Sequence, residues 1–336
     1  MGRAVDGWLL ASVMRTPARA ADLEAAGWTG LIAIARAEQM IGTLAARLQG
    51  VAVPAQVARI LDDARTSAAQ GQIAATWEAE VARRVLSHVG ERLILLKGTA
   101  FAVAGLRAGL GRSIGDLDIL VPKNALARVE AALLDAGWEW VKPDPYDDAY
   151  YRTWMHELPP LIHRDRDRMI DVHHTILPPT ARITPDPVAL LADAVEIAPG
   201  MFALSPLDML VHAAAHLFAD GDLAGGMRNL WDVHCLIEEC GTDGLEERAR
   251  HHGLEREVAR AVRLATALYG KEGSVGGIDR IYLFRLTARD GWGRATRPVT
   301  RMAFYIRSHW LRMPPGLLAR HLWTKWRGGG AGPSSG

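Results

Sequence analysis

Asp116 and Asp118 stand two residues apart in the run Asp116-Leu117-Asp118-Ile119-Leu120-Val121. The apolar residues between and after the acids read as a β-strand, in which residues i and i+2 point to one face. Two carboxylates held side by side repel and raise each other's pKa unless a cation lies between them. A hard divalent ion with oxygen ligands meets that demand. A third acid, Asp171, sits in Ile170-Asp171-Val172-His173, which reads as a further strand able to lie beside the first. Three carboxylates suffice for two Mg²⁺ ions, with Mn²⁺ as the alternative. One ion would activate an attacking hydroxyl and the other would grip a triphosphate. Upstream stands Leu96-Lys97-Gly98-Thr99. Gly98 lets backbone approach an anion closely. The Thr99 hydroxyl and a helix N-terminus there suit a phosphate. Lys97 and Arg112 add positive charge for its outer oxygens. Chemistry of this kind is phosphoryl transfer, in which positioning and electrostatics supply most of the rate.

These residues need a sheet with helices around it. Leu93-Ile94-Leu95-Leu96 predicts a short buried strand ending at the glycine turn, and residues 100–108 suit a helix. Pro122-Lys123-Asn124 opens another helix, with Leu126, Val129, Leu133 and Leu134 inward and Gly137 as its stop. Trp138–Val141 and Met169–Ile176 predict further strands, so residues 91–180 form a mixed α/β core. Residues 1–90 read as helical throughout, with Val81, Val85, Leu86 and Val89 on one face and Pro54 as the clearest break. From about 186 the pattern is helical again. Asp186-Pro187 is an N-cap followed by proline at the first helical position, and Ser205-Pro206-Leu207-Asp208 resembles a capping box. Further helices are expected at Arg228–Glu239 and Glu255–Tyr269. The expected division is therefore helical 1–90, catalytic core 91–180, helical 181–272, a basic aromatic-rich helical tail 273–327 and a low-complexity, disordered terminus 328–336.

The order of glycine turn, helix, D-x-D strand and later lone Asp resembles the DNA polymerase β-type nucleotidyltransferase superfamily. The finer pattern is similar to its uncharacterised nucleotidyltransferase family, NTP_transf_5. It consists of Leu-Lys-Gly, Arg112 four residues before the first acid, a run ending in Val121, a helix ending in Ala-Gly-Trp, and Ile-Asp-Val-His. That family also tends to carry the downstream Ser205-Pro206-Leu207-Asp208, His212, His216 and Arg228-Asn229-Leu230-Trp231-Asp232. The resemblance spans about residues 90–240. It implies an α+β fold: a small mixed-sheet core flanked by N- and C-terminal helical regions. It implies an NTP substrate, two metals on Asp116, Asp118 and Asp171, and release of pyrophosphate. Gly98 and Thr99 would take the phosphate-turn role, although Gly-Ser is the commoner pair and the gap from Gly98 to Asp116 is longer than usual. The acceptor is left open among small molecules, sugars, peptides and proteins. A peptide or sugar of a biosynthetic cluster is worth testing. The alternatives are a non-catalytic regulatory protein retaining the fold, or an RNA-directed enzyme.

His173 shares a face with Asp171 and suits a metal, a substrate or a hydrogen bond to a metal ligand; His174 points the other way. His212 and His216 lie at i and i+4, but His-Ala-Ala-Ala-His lacks a metalloprotease's glutamate. Packing or cleft lining, near Arg228 and Asp232, is the expected role. Arg112 has a structural alternative, a pair with Asp116, and Lys97 has one as a surface residue. Trp138, Trp140 and Trp231 read as core. Beyond Asp279 the chain is strongly basic, with only Asp290 opposing many arginines. A positively charged helical face packed on the catalytic domain is the favoured reading there, ahead of nucleic-acid or anionic-membrane binding.

Composition narrows the classes further. The chain has 336 residues, 49% apolar and 23% charged, with net charge +1. These values fit a globular protein and give no whole-chain reason to expect nucleic acid. Two cysteines, Cys235 and Cys240, expected on one helix, exclude a disulfide framework and a four-thiolate zinc site. They read as reduced thiols of a cytoplasmic protein. No run reaches the ~18 apolar residues of a membrane span. P-loop, dinucleotide-binding, nucleophile-elbow and kinase motifs do not occur.

Overall fold

The computed structural model describes residues 6–142, 145–271, 273, 275–312 and 316. One seven-stranded mixed sheet organises it, in the order β3-β4-β5-β2-β1-β7-β6. The strands are β1 (Leu93–Leu95), β2 (Asp116–Leu120), β3 (Trp138–Trp140), β4 (Leu161–His163), β5 (Met169–His173), β6 (Val195–Ala198) and β7 (Met201–Ala203). Its centre is the parallel pair β2–β5, flanked by β1, which runs antiparallel to β2 and parallel to β7. Ile94, Leu95, Ile119, Leu120 and Val172 are buried there. Apolar runs this short and this continuous suit strands covered on both faces.

Fourteen α-helices are found among the described residues. The N-terminal four are α1 (Gly7–Arg15), α2 (Ala25–Ala37), α3 (Ile41–Arg47) and the 34-residue α4 (Ala55–His88). Next come α5 (Lys97–Val103), α6 (Leu126–Asp135), α7 (Pro145–Trp154) and α8 (Pro187–Ala192). The last six are α9 (Pro206–Ala215), α10 (Gly226–Cys240), α11 (Leu245–His251), α12 (Glu255–Tyr269), α13 (Asp279–Leu286) and α14 (Pro298–Arg312). Helix α4 packs on β1, β2, α5 and α6, while α9, α10 and α12 pack on one another. Asp186 caps α8 by accepting from the Val188 and Ala189 amides at 2.9 and 3.1 Å. Ser205 Oγ accepts from the Asp208 amide at 3.2 Å at the start of α9.

Several expectations change on contact with the structure. Strands β6 and β7 fall within the stretch read as helical, so the sheet runs on past residue 180 to Ala203. Strand β4 was not expected, and β5 ends at His173 rather than Ile176. The helix expected at 100–108 begins earlier, at Lys97, and stops at Val103. Trp138 and Trp231 are buried, but Trp140 is exposed on β3, at the edge of the sheet, and donates to Glu130 Oε1 at 3.0 Å. Cys235 and Cys240 are free thiols on α10. No helix among the described residues is long and apolar enough to cross a membrane. The terminus 328–336 and, apart from residue 316, the tail beyond residue 312 lie outside the described residues.

Candidate active site

The parallel register of β2 and β5 sets Asp118 directly opposite Asp171. Asp116 precedes Asp118 by two residues and shares its face. One carboxylate oxygen from each of Asp116, Asp118 and Asp171 lies within 4.8 Å of the others. Asp118 is buried, and its Oδ1 accepts from Lys97 Nζ at 2.6 Å and lies 3.0 Å from His173 Nε2. Burial works to raise its pKa, but the Lys97 ammonium and the His173 ring overcome that and hold the carboxyl far below the usual range. Asp171 has the opposite balance. Burial pushes it up, and the Asp118 and Glu157 carboxylates add to the shift, to about 7. Its Oδ1 is buried without a hydrogen-bond partner among the described residues. A crowded set of carboxylates with one orphaned, electrostatically strained oxygen fits an oxygen-liganded divalent cation.

Around the acids lies a cleft of about 900 Å³. Its floor includes Leu95, Lys97, Gly98, Asp116, Asp118 and Met169, and its far wall carries His212 and His216 with Arg228, Asn229 and Asp232 of α10. Lys97 has a positive φ of 48° at the sharp turn from β1 into α5. Burial works against its charge, yet Asp118 and Asp116 raise its pKa and keep it an ammonium. Gly98 has a role the sequence did not show. A Cβ there would come 2.6 Å from Arg112 Nε, so the glycine makes room for the arginine. Arg112 lies over the Phe101 ring and donates to Asp232 Oδ2, not to Asp116. Arg228 is buried and donates to Ala108 O at 2.8 Å and to Thr43 Oγ1. It also makes a charge contact with Asp232 Oδ1 at 3.1 Å. One buried carboxylate thus pairs with two arginines that line the cleft.

Asp171 and His173 stand behind Asp118 without lining the cleft, and Thr99 is not brought to it either. Thr99 makes no contact with the acids. It is buried in α5, and its hydroxyl has no partner among the described residues. His212 lines the cleft as a neutral imidazole, since burial drives its pKa well down. Two residues absent from the sequence reading adjoin the acids. The segment around Glu157 bridges antiparallel to the end of β5, with Leu158 N donating to Val172 O at 2.9 Å and His174 N to His156 O at 2.9 Å. This sets Glu157 Oε2 3.4 Å from His173 Nδ1, and His156 beside the same ring. His173 is therefore held between two carboxylates, which fixes the ring against Asp118. His156, Glu157 and His173 form a second group of close-lying ligand-type atoms. No sequence signal marked His156-Glu157, because an irregular segment carries them and only the tertiary bridge gives them a place.

A search of the curated proteins finds no match. The family model described as an uncharacterised nucleotidyltransferase, NTP_transf_5, matches residues 24–270. That span covers the helices α2–α4, the whole sheet and the cleft walls through α12. Over most of its length, then, the chain belongs to the uncharacterised nucleotidyltransferase family.

Proposed function

We propose that the protein transfers an NMP group from an NTP to an acceptor hydroxyl or phosphate, with release of pyrophosphate. The observation that carries this reading is the convergence of Asp116, Asp118 and Asp171, one orphaned oxygen included, at the edge of the cleft. Asp116, Asp118 and Asp171 would hold two Mg²⁺ ions. Bound there, such ions would neutralise phosphate charge and favour ionisation of the attacking oxygen. The chain's own residues do the rest. Lys97, together with Arg112 and Arg228 side by side on Asp232, supplies fixed positive charge for a triphosphate. Asp232 holds both guanidinium groups in place, so little reorganisation is needed when an anion arrives. His173 fixes Asp118, and Glu157 fixes His173. The acceptor oxygen forms a bond to the α-phosphorus and gives its proton to water, while the bond from that phosphorus to the bridging oxygen breaks and pyrophosphate leaves.

The test incubates the protein with each of the four labelled NTPs, Mg²⁺ or Mn²⁺, and candidate peptide and sugar acceptors. Label transfer and pyrophosphate release are expected from the native chain and lost in Asp116→Asn and Asp118→Asn. Release that persists unchanged in both variants would overturn the reading.

A further inference from the structure

The end of β5 gathers side chains of a different donor type from the three aspartates. Glu157 stands opposite His173 in an antiparallel bridge, held by Leu158 N donating to Val172 O and His174 N to His156 O, each at 2.9 Å. Residues paired in this way project their side chains to one face of the sheet. Glu157 Oε2 lies 3.4 Å from His173 Nδ1 and 4.0 Å from His156 Nε2. The two imidazole rings stand 5.2 Å apart between centroids. One ligand-type atom from each of the three residues lies within 4.8 Å of the others. Backbone hydrogen bonds to a buried strand thus bring two imidazoles and one carboxylate together.

Hydrogen bonding leaves two features of this group unexplained. Asp118 Oδ1 accepts from Lys97 Nζ at 2.6 Å and lies 3.0 Å from His173 Nε2. A carboxylate only accepts, so His173 presents its Nε2–H there. In the neutral ring, Nδ1 then points a lone pair at the Glu157 carboxylate, acceptor against acceptor. Their 3.4 Å separation exceeds the about 2.7–3.2 Å of a direct N–H···O bond. It matches the about 3.3–3.4 Å between neighbouring ligands of a tetrahedral zinc ion held at about 2.0–2.1 Å. The second feature is His156 Nδ1, which is buried with no hydrogen-bond partner among the described residues.

The donor set selects the ion. Magnesium takes oxygen ligands, which the three aspartates offer. Two imidazoles and a carboxylate suit zinc, with the fourth position left to water. A zinc-bound imidazole ordinarily donates its other N–H to a carboxylate, and Asp118 is placed to accept it from His173. The His156 and Glu157 side chains are 12% and 19% exposed, so the group is nearly closed yet can be reached from solvent.

We infer that His156, Glu157 and His173 form a zinc site behind Asp118, joined to the cleft acids through the His173 ring. Bound there, zinc would pin the segment around Glu157 to β5 and hold His173 against Asp118. This stands independently of the nucleotidyl-transfer reading, since zinc binding needs no nucleotide.

The experiment titrates the metal-free full chain with Zn²⁺ against a chromogenic chelator, in excess Mg²⁺. One tight equivalent is expected, and the melting temperature should rise as it binds. His156→Asn with Glu157→Gln should weaken binding by at least about a hundredfold, more than loss of an outer partner would. Circular dichroism of that variant should stay native. Asp116→Asn should still bind one equivalent. X-ray absorption at the zinc edge of the native chain identifies the ligands without any substitution. Two imidazoles among about four nitrogen and oxygen donors at about 2.0–2.1 Å are expected. Absence of a tight equivalent overturns the inference, as does binding that survives His156→Asn with Glu157→Gln. Binding lost in Asp116→Asn, an all-oxygen ligand shell, or Fe²⁺ held in preference to Zn²⁺ overturns it as well.

Discussion

Replacing Asp232 by Asn removes a charge that two buried or half-buried cations share while keeping its volume. Asp232 and Arg228 are each nearly inaccessible, and the Arg112 side chain is 16% exposed. In Asp232→Asn, Arg228 keeps its acceptors Ala108 O and Thr43 Oγ1 but loses its counter-charge. Breaking a buried ion pair from one side costs about 3–5 kcal/mol, since a charge is left uncompensated. A direct Coulomb estimate at 4 Å and an effective dielectric of 20 gives about 4 kcal/mol, in the same range. For a chain of this size about 1.4 °C of melting temperature corresponds to 1 kcal/mol, so a fall of about 4–7 °C is expected. The assay is thermal unfolding followed by calorimetry, with Asp62→Asn as the control. Asp62 pairs with Arg65 on the surface, where such pairs contribute little, and its loss should move melting by less than about 1 °C. Adding Arg112→Met to Asp232→Asn removes one of the stranded cations, so the double variant should lose less than the sum of the singles. Melting of Asp232→Asn within about 1 °C of native, or strict additivity in the double variant, would refute the shared-carboxylate account.

Asp208 is fully buried, and although burial works to raise its pKa, His252, Arg248 and Ser205 hold it below the usual carboxylate range. Its stabilisation is fully present above its unfolded pKa of about 4 and lost as pH falls through the lower folded value. Asp208→Asn should therefore destabilise at pH 7 and flatten the acid limb of a stability–pH curve below about pH 4; parallel curves would contradict this. Gly98→Ala should drive Arg112 off its perch and weaken triphosphate binding about tenfold, read by calorimetry with a non-hydrolysable NTP; unchanged affinity would remove Arg112 from the triphosphate site. Gly111→Ala, at φ +65° with its Cβ 2.3 Å from Gly42 O, should melt well below Gly105→Ala, at φ +67° in open space. Equal melting points would show that the backbone contact between α3 and the loop before β2 relaxes freely.

Local pattern made the centre of the sheet legible. Alternation of acid and aliphatic residues marked β2, Ile-Asp-Val-His marked β5, and strong amphipathic periodicity gave α12 its observed bounds, Glu255–Tyr269. The proximity of Asp116, Asp118 and Asp171 follows from these strands once they pair in parallel. What escaped depends on partners far away in the chain. Strands β6 and β7 are four and three residues long, too short to show a period, and exist because β7 finds the free edge of β1. Arg112 has Asp116 nearby in sequence, yet its carboxylate comes from Asp232, 120 positions on. Gly98 was legible as a close-approach glycine, but only packing showed that a guanidinium group makes the approach. Trp140 has the composition of a core residue and sits exposed because β3 ends the sheet.

Mn²⁺ bound by the protein in the presence of a non-hydrolysable NTP, counted from the free-ion signal in electron paramagnetic resonance, probes the three acids most directly. Saturable binding of two ions is expected, reduced in Asp171→Asn and abolished in Asp116→Asn with Asp118→Asn. Absence of bound Mn²⁺ in the native chain, or equal binding in the doubly substituted one, would contradict the account.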